Sequence, residues 1–122
     1  MFTKVGLTIS SSAGAPANNT VKSMAKQLKW MGIPKVYKFP FISNALNIST
    51  ISSKKEAELK QKSEKIALKV KKRANKPKAS LKGKIMFYIF RKMQASPSAS
   101  WNPKDRDWWI EQGWIKNVRP WK

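Results

Sequence analysis

The stretch from Lys4 to Ile33, KVGLTISSSAGAPANNTVKSMAKQLKWMGI, constrains the fold more than any other. It reads as a strand, a tight loop and an amphipathic helix. Val5, Leu7 and Ile9 form a short β-branched and apolar run that ends at a serine cluster. From Ser10 to Pro16 the apolar periodicity disappears, and Gly14 and Pro16 punctuate a loop. Asn18, Asn19 and Thr20 are all residue types that cap helices. Beyond them, Val21, Met24, Ala25, Leu28 and Met31 recur at helical spacing and mark one apolar stripe. Gly32 stands where a helix C-terminal glycine belongs, and Pro34 stops continuation. A second strand is predicted over Lys35 to Ile42, KVYKFPFI, with Pro40 placing it at or near an edge. Strand, helix and strand over about 40 residues make one βαβ unit, whose two strands run parallel.

The remaining chain supplies helices to flank that unit. Ser43 to Ser52 is a polar loop. Ser53 and Glu56 have capping-box spacing, and the helix they open runs to about Ala74. Its apolar stripe is thin (Leu59, Ile66, Ala67, Val70, Ala74), and Glu58 and Glu64 can pair with Lys62 and Lys60. Asn75, Pro77 and Gly83 break the chain. Gly83 to Gln94 is short and apolar, with Met86, Ile89, Phe90 and Met93 at helical spacing; a strand over Lys84 to Phe90 is the alternative. Ala95 to Pro103 is a Ser/Pro linker. In the tail, Asp105 or Asp107 can cap a short helix that Gly113 ends. Two parallel strands make a small sheet, so low stability or oligomerisation is expected of the isolated chain.

Residue types exclude much chemistry. The 122 residues suit one domain, and an apolar content of 41% allows a core. Cysteine and histidine are both absent, which removes disulfides, thiolate nucleophiles, imidazole bases and the commonest metal ligands. The six acids all lie beyond residue 55, so paired-carboxylate and metal-assisted hydrolysis are not expected. No catalytic residue and no metal site is assigned. The net charge of +20 attracts polyanions. It is densest in residues 54–82, which hold twelve Lys/Arg against three Glu. The longest apolar run, Ile85 to Phe90, is far too short to span a membrane, and no secretory leader is legible, so a cytoplasmic location is expected.

Three features carry candidate function, each beside a plainer reading. The loop Ser10 to Pro16 occupies the position where open α/β sheets bind ligands, though it has neither GxxxxGK[ST] nor GxGxxG. An ordinary connection would look the same. The lysine helix over 54–73 can lie along phosphates, or be a solvated face; it has no interleaved aromatics for base stacking. Trp101, Trp108, Trp109, Trp114 and Trp121 can stack bases, sit at a membrane interface or staple the tail to the domain.

The opening unit resembles the second half of the flavodoxin-like NAD(P)H-dependent FMN reductases, the multimeric flavodoxin group. The matching segments are Val5 to Ile9, Ser10 to Pro16, the LKWMGI ending within Gln27 to Ile33, and Val36 to Phe41. The ending strengthens the likeness. FYIFRKMQ, then Asp105, Asp107, Trp108, Trp109, Glu111, Gly113 and Trp114, is similar to the D-x-x-Y-W-x-x-x-G-W ending of many members. The resemblance implies a partial flavodoxin-like, doubly wound α/β domain, with two parallel strands and flanking helices over residues 1–94. A linker and Trp-rich tail over 95–122 would pack back on it. It implies an NAD(P)H-dependent FMN oxidoreductase passing electrons to an acceptor, with Ser10, Ser12, Gly14 and Ala15 approaching the flavin ring. Members often carry a Gly-Gly pair where this chain has Gly14-Ala15-Pro16. Met1 falls just before the family's fourth strand, so the FMN phosphate loop is expected from a complementing chain or an N-terminal half, with homo-oligomerisation a further possibility. The cofactor performs hydride transfer, so this chemistry asks little of side-chain acids or bases. The alternative is a small basic nucleic-acid-binding or ribosome-associated protein using the lysines of 54–82 and the tail tryptophans.

Overall fold

The computed structural model describes every residue except Met1, Pro77, Trp101 and Lys122, and of Ile48 only the backbone. Two strands, β1 (Val5–Ser12) and β2 (Lys35–Ile42), pair in parallel, with Val5 opposite Lys35 and Ser12 opposite Ile42. A parallel pair needs a crossover, which α1 (Asn18–Trp30) provides. Beyond a 3₁₀ turn at Ile48–Thr50 come three more helices: α2 (Ser53–Ala74), α3 (Leu81–Ala95) and α4 (Pro103–Glu111). The chain is thus α/β, with two parallel strands and four helices among the described residues.

Side-chain alternation decides which helix covers which side of the sheet. Gly6 and Thr8 are buried and turn toward α1. A Cβ on Gly6 would lie 3.1 Å from Leu28 Cδ1 and 3.3 Å from Val36 Cγ2, so the missing side chain lets α1 sit close. Val21 and Ala25 are buried on α1, and Val36 on β2. Thr8 is 1% exposed; its hydroxyl lies 3.2 Å from the Val21 carbonyl and 3.3 Å from that of Tyr37, linking β1 to both α1 and β2. The opposite face carries Leu7, Ile9, Tyr37 and Phe39. Helix α2 packs against both strands, and its Ile66 lines a groove with Tyr37 and Phe39. No residue of α2 is fully buried, in keeping with its thin apolar stripe.

A second cluster forms around Phe87 of α3, the described side chain with no exposed surface. Trp109 stacks on it at 5.2 Å, while Phe2, Trp114 and Trp121 meet it edge-on at 5.0–6.0 Å. Edge-to-face and offset contacts of this kind suit the ring quadrupoles. Phe2 belongs equally to the α1 end of the chain. Its ring lies 3.0–3.3 Å from the place a Cβ on Gly32 would occupy. Gly32 has φ +88°, its N–H donates to the Lys29 carbonyl, and the Ile33 N–H donates to that of Leu28. This is a Schellman ending, and it needs a glycine for its backbone and again for its contact with Phe2. Gly113 (φ +66°) ends α4 by the same pattern of bonds.

Several boundaries differ from the sequence reading. Strand β1 continues through Ser10, Ser11 and Ser12 because β2 runs alongside to Ile42; the Ser12 carbonyl is then held by the Ser43 N–H at 2.9 Å. None of Asn18, Asn19 or Thr20 caps α1. The cap position is Ala17, in a helical conformation and without a side-chain bond. Helix α2 is capped by Ser52, whose extended backbone lets its hydroxyl accept from the Lys55 N–H; Ser53 already lies inside the helix. Asn102, not Asp105 or Asp107, caps α4, with Pro103 in the first turn. The segment around Gly83 is a helix and not a strand. Its buried residue is Phe87, one step from the stripe that periodicity marks, because the ring cluster draws that face inward.

Truncating Phe87 to Ala should destabilise the chain by about 3–5 kcal/mol, as emptied aromatic core positions do. Gly32→Ala should also lower the denaturation midpoint, through both the backbone and the Phe2 contact. Equilibrium urea unfolding followed by tryptophan fluorescence checks both. An unchanged midpoint for either would remove that residue from the framework described above.

Candidate functional site

The strands are parallel, so both end at the same edge of the sheet. Two connections leave from there: Ala13 to Ala17 after β1, and Ser43 onward after β2. They are tied together. The Ser12 carbonyl accepts from the Ser43 N–H at 2.9 Å and from the Ser43 hydroxyl at 3.2 Å. The Ser43 hydroxyl also lies 2.9 Å from the Ala45 carbonyl. Within the first connection the Ser12 hydroxyl donates to the Ala15 carbonyl. Asn44 takes a left-handed backbone (φ 54°), which asparagine tolerates better than most residues. Between the connections lies an open hollow of about 430 Å³, lined by Ala13, Gly14, Asn44, Ala45 and Leu46.

Of the four residues assigned to a flavin ring, Gly14 lines this hollow. Ala15 is a neighbour whose carbonyl is already engaged. Ser12 is the last residue of β1 with its hydroxyl spent on that carbonyl, and Ser10 lies within the ladder opposite Pro40. The sequence reading missed Asn44, Ala45 and Leu46. Their signal was the Asn/Ser-rich composition after β2, legible as a loop but not as the second wall of a hollow. The lining offers the small Ala13, Gly14 and Ala45, the Asn44 carboxamide, the apolar Leu46 and no carboxylate. A Cβ on Gly14 would meet nothing within 4 Å, so the hollow is open at that point.

A second groove runs between β2 and α2, lined by Tyr37, Lys38, Phe39, Pro40, Lys62, Lys65, Ile66 and Lys69. Residues from both faces of β2 take part, so it wraps over the strand's outer edge. The tryptophans are placed differently from one another. Trp109, Trp114 and Trp121 are committed to Phe87, whereas Trp108 is 52% exposed; Trp101 lies outside the described residues. Among the described residues no three His, Cys, Asp or Glu side chains gather as a metal site, and no helix is long and apolar enough to cross a membrane.

No family model, curated protein or solved structure matches this chain.

Glu58 is the acid beside the basic groove. Hydrogen bonds from Lys62 and then Lys55, reinforced by the charges of both, hold its carboxyl below the ordinary value of 4.5. A depressed carboxyl stabilises the fold above 4.5 and loses that contribution as pH falls through its lowered pKa. The pair is exposed, so the effect is small. Wild type should exceed Glu58→Gln in thermal midpoint at neutral pH, and the gap should close on acidification below 4.5. Circular dichroism melts at stepped pH test it, and a gap independent of pH would show that the ion pairs contribute nothing.

Proposed function

We propose that this chain supplies the ring-side part of an FMN site in a flavodoxin-like domain that passes electrons from NAD(P)H to an acceptor. The observation that carries the reading is the hollow at the shared carboxyl edge of two parallel strands, the place where open α/β sheets bind ligands. Gly14 and Ala13 on one side, and Asn44, Ala45 and Leu46 on the other, would hold the edge of the isoalloxazine ring. When bound, FMN supplies the hydride chemistry. The chain's own part is to orient the ring through backbone groups and the Asn44 carboxamide. Leu46, 94% exposed, would cover apolar ring surface and keep water from it. No acid or base of this chain is given a proton to move.

The phosphate of FMN is assigned to a complementing chain or to a further segment of polypeptide. The free edge of β1 is where added strands would join. Val5 to Ser12 carries neither charge nor proline, while β2 carries Lys35, Lys38 and Pro40, which discourage further pairing. Strand addition on β1 would extend the sheet on the side it leaves unprotected.

The reading predicts how the isolated chain discriminates flavins. At about 0.5 M salt, where the Debye length is only a few ångströms, it should bind riboflavin and FMN equally and weakly. Flavin fluorescence quenching measures both. Gly14→Leu should abolish quenching while leaving the melting curve unchanged, since the added side chain enters open space. Tighter binding of FMN than riboflavin would place a phosphate site within this chain, and binding of neither would remove the ring-side assignment.

A further inference from the structure

We propose that the groove between β2 and α2 is a binding site for single-stranded nucleic acid. The inference is independent of the flavin reading, which concerns the hollow at the strands' carboxyl edge. It rests on what the fold brings together. The lysine helix has no aromatics of its own, so its sequence gave no support for base stacking. In the structure, Tyr37 and Phe39 of β2 line the same groove as Lys62, Lys65 and Lys69 of α2. A sequence gap of more than twenty residues separates the two sets.

The geometry matches a charged track beside a stacking platform. Lys62, Lys65 and Lys69 stand three and four residues apart, so they share one helix face over about 10 Å. Tyr37 and Phe39 are two residues apart on one strand, so their rings emerge from the same face, about 7 Å apart. Both rings are half-buried and line the groove. Lys38 joins the groove from the opposite face of the strand. Glu58 occupies Lys62, but among the described residues no acid pairs with Lys38, Lys65 or Lys69, and all three side chains are exposed. Lys35 Nζ sits 5.4 Å from the Tyr37 ring centroid, adding a further cation beside the aromatic wall. No carboxylate lines the groove.

These features select among polyanions. Proteins that bind single strands combine a positive groove for the backbone with aromatic rings on which bases stack. A duplex keeps its bases stacked inside, so it offers these rings no free base face. A lipid surface favours exposed apolar groups, whereas Tyr37 and Phe39 are half-buried and flanked by lysines. The net charge of +20 draws any polyanion to the molecule, while the rings confine single strands to this groove.

The test is fluorescence anisotropy of labelled oligothymidylate on the full chain as salt is varied. The triple variant Lys38→Gln, Lys65→Gln, Lys69→Gln should lower the slope of log affinity against log salt by about 2. A matched triple on α1, Lys22→Gln, Lys26→Gln, Lys29→Gln, removes the same charge and should leave the slope unchanged. Phe39→Leu keeps an apolar side chain and removes the ring; it should weaken binding about fivefold or more with the salt slope intact. Circular dichroism melts confirm that each variant folds. Equal losses from the two lysine triples would reduce the interaction to diffuse charge and overturn the proposal. So would no binding near physiological salt, equal affinity for a duplex of the same sequence, or preferential binding to anionic phosphatidylserine vesicles.

Discussion

The contact of Phe2 with Gly32 joins two halves that otherwise meet little. On one side is the strand pair with α1, closed by Val21, Ala25, Val36 and Thr8. On the other is the ring cluster about Phe87, built from α3, α4 and the C-terminal Trp121. Helices α3 and α4 pack on each other and not on the sheet. Phe2, just before β1, reaches Phe87 and Trp121 with its ring and rests on the glycine that ends α1. A side chain at position 32 would separate those rings from α1. The Schellman ending thus does more than stop a helix. It leaves a bare patch of backbone on which Phe2 rests, and Phe2 carries the contact on to Phe87 and Trp121.

That junction explains why the sheet can remain small. A two-stranded unit buries too little surface to stand alone. Here α1 covers one face closely, through Gly6, while α2 covers the other loosely and leaves Ile9 57% exposed. The aromatic cluster adds a second core that does not depend on the width of the sheet. The same looseness keeps the groove between β2 and α2 open, with lysine stems and ring edges in place of a sealed apolar contact. Tight packing on one face and an accessible groove on the other have a common origin in the different apolar stripes of α1 and α2.

Much of the local structure was legible in the sequence because it depends on short-range physics. The order of strand, helix and strand, the glycine endings at Gly32 and Gly113, and the long helix over 53–74 all follow from periodicity and backbone preference. The caps were less legible. Residue types that cap helices cluster at each helix start, and the cap position is set by where the backbone turns into the helix: Ala17 rather than an asparagine, Ser52 rather than Ser53, Asn102 rather than an aspartate. The candidate site was half legible. Gly14 was visible as a loop residue after a strand, but Asn44 to Leu46 become its opposite wall only through the parallel register that ends both strands together. The pairing of Tyr37 and Phe39 with the lysines of α2 could not be read at all, since it requires knowing which sheet face the helix covers.

Charge placement connects the two candidate sites. The hollow at the carboxyl edge is lined by uncharged residues, while the lysines gather along β2 and α2. A net charge of +20 opposes association of identical chains unless something of opposite sign intervenes. The exposed lysines of β2 keep that edge from pairing, and the uncharged edge of β1 invites it. A partner strand would therefore approach from the β1 side, and an anionic polymer from the β2 side. The two surfaces lie on opposite edges of one two-stranded sheet, so occupation of either leaves the other accessible.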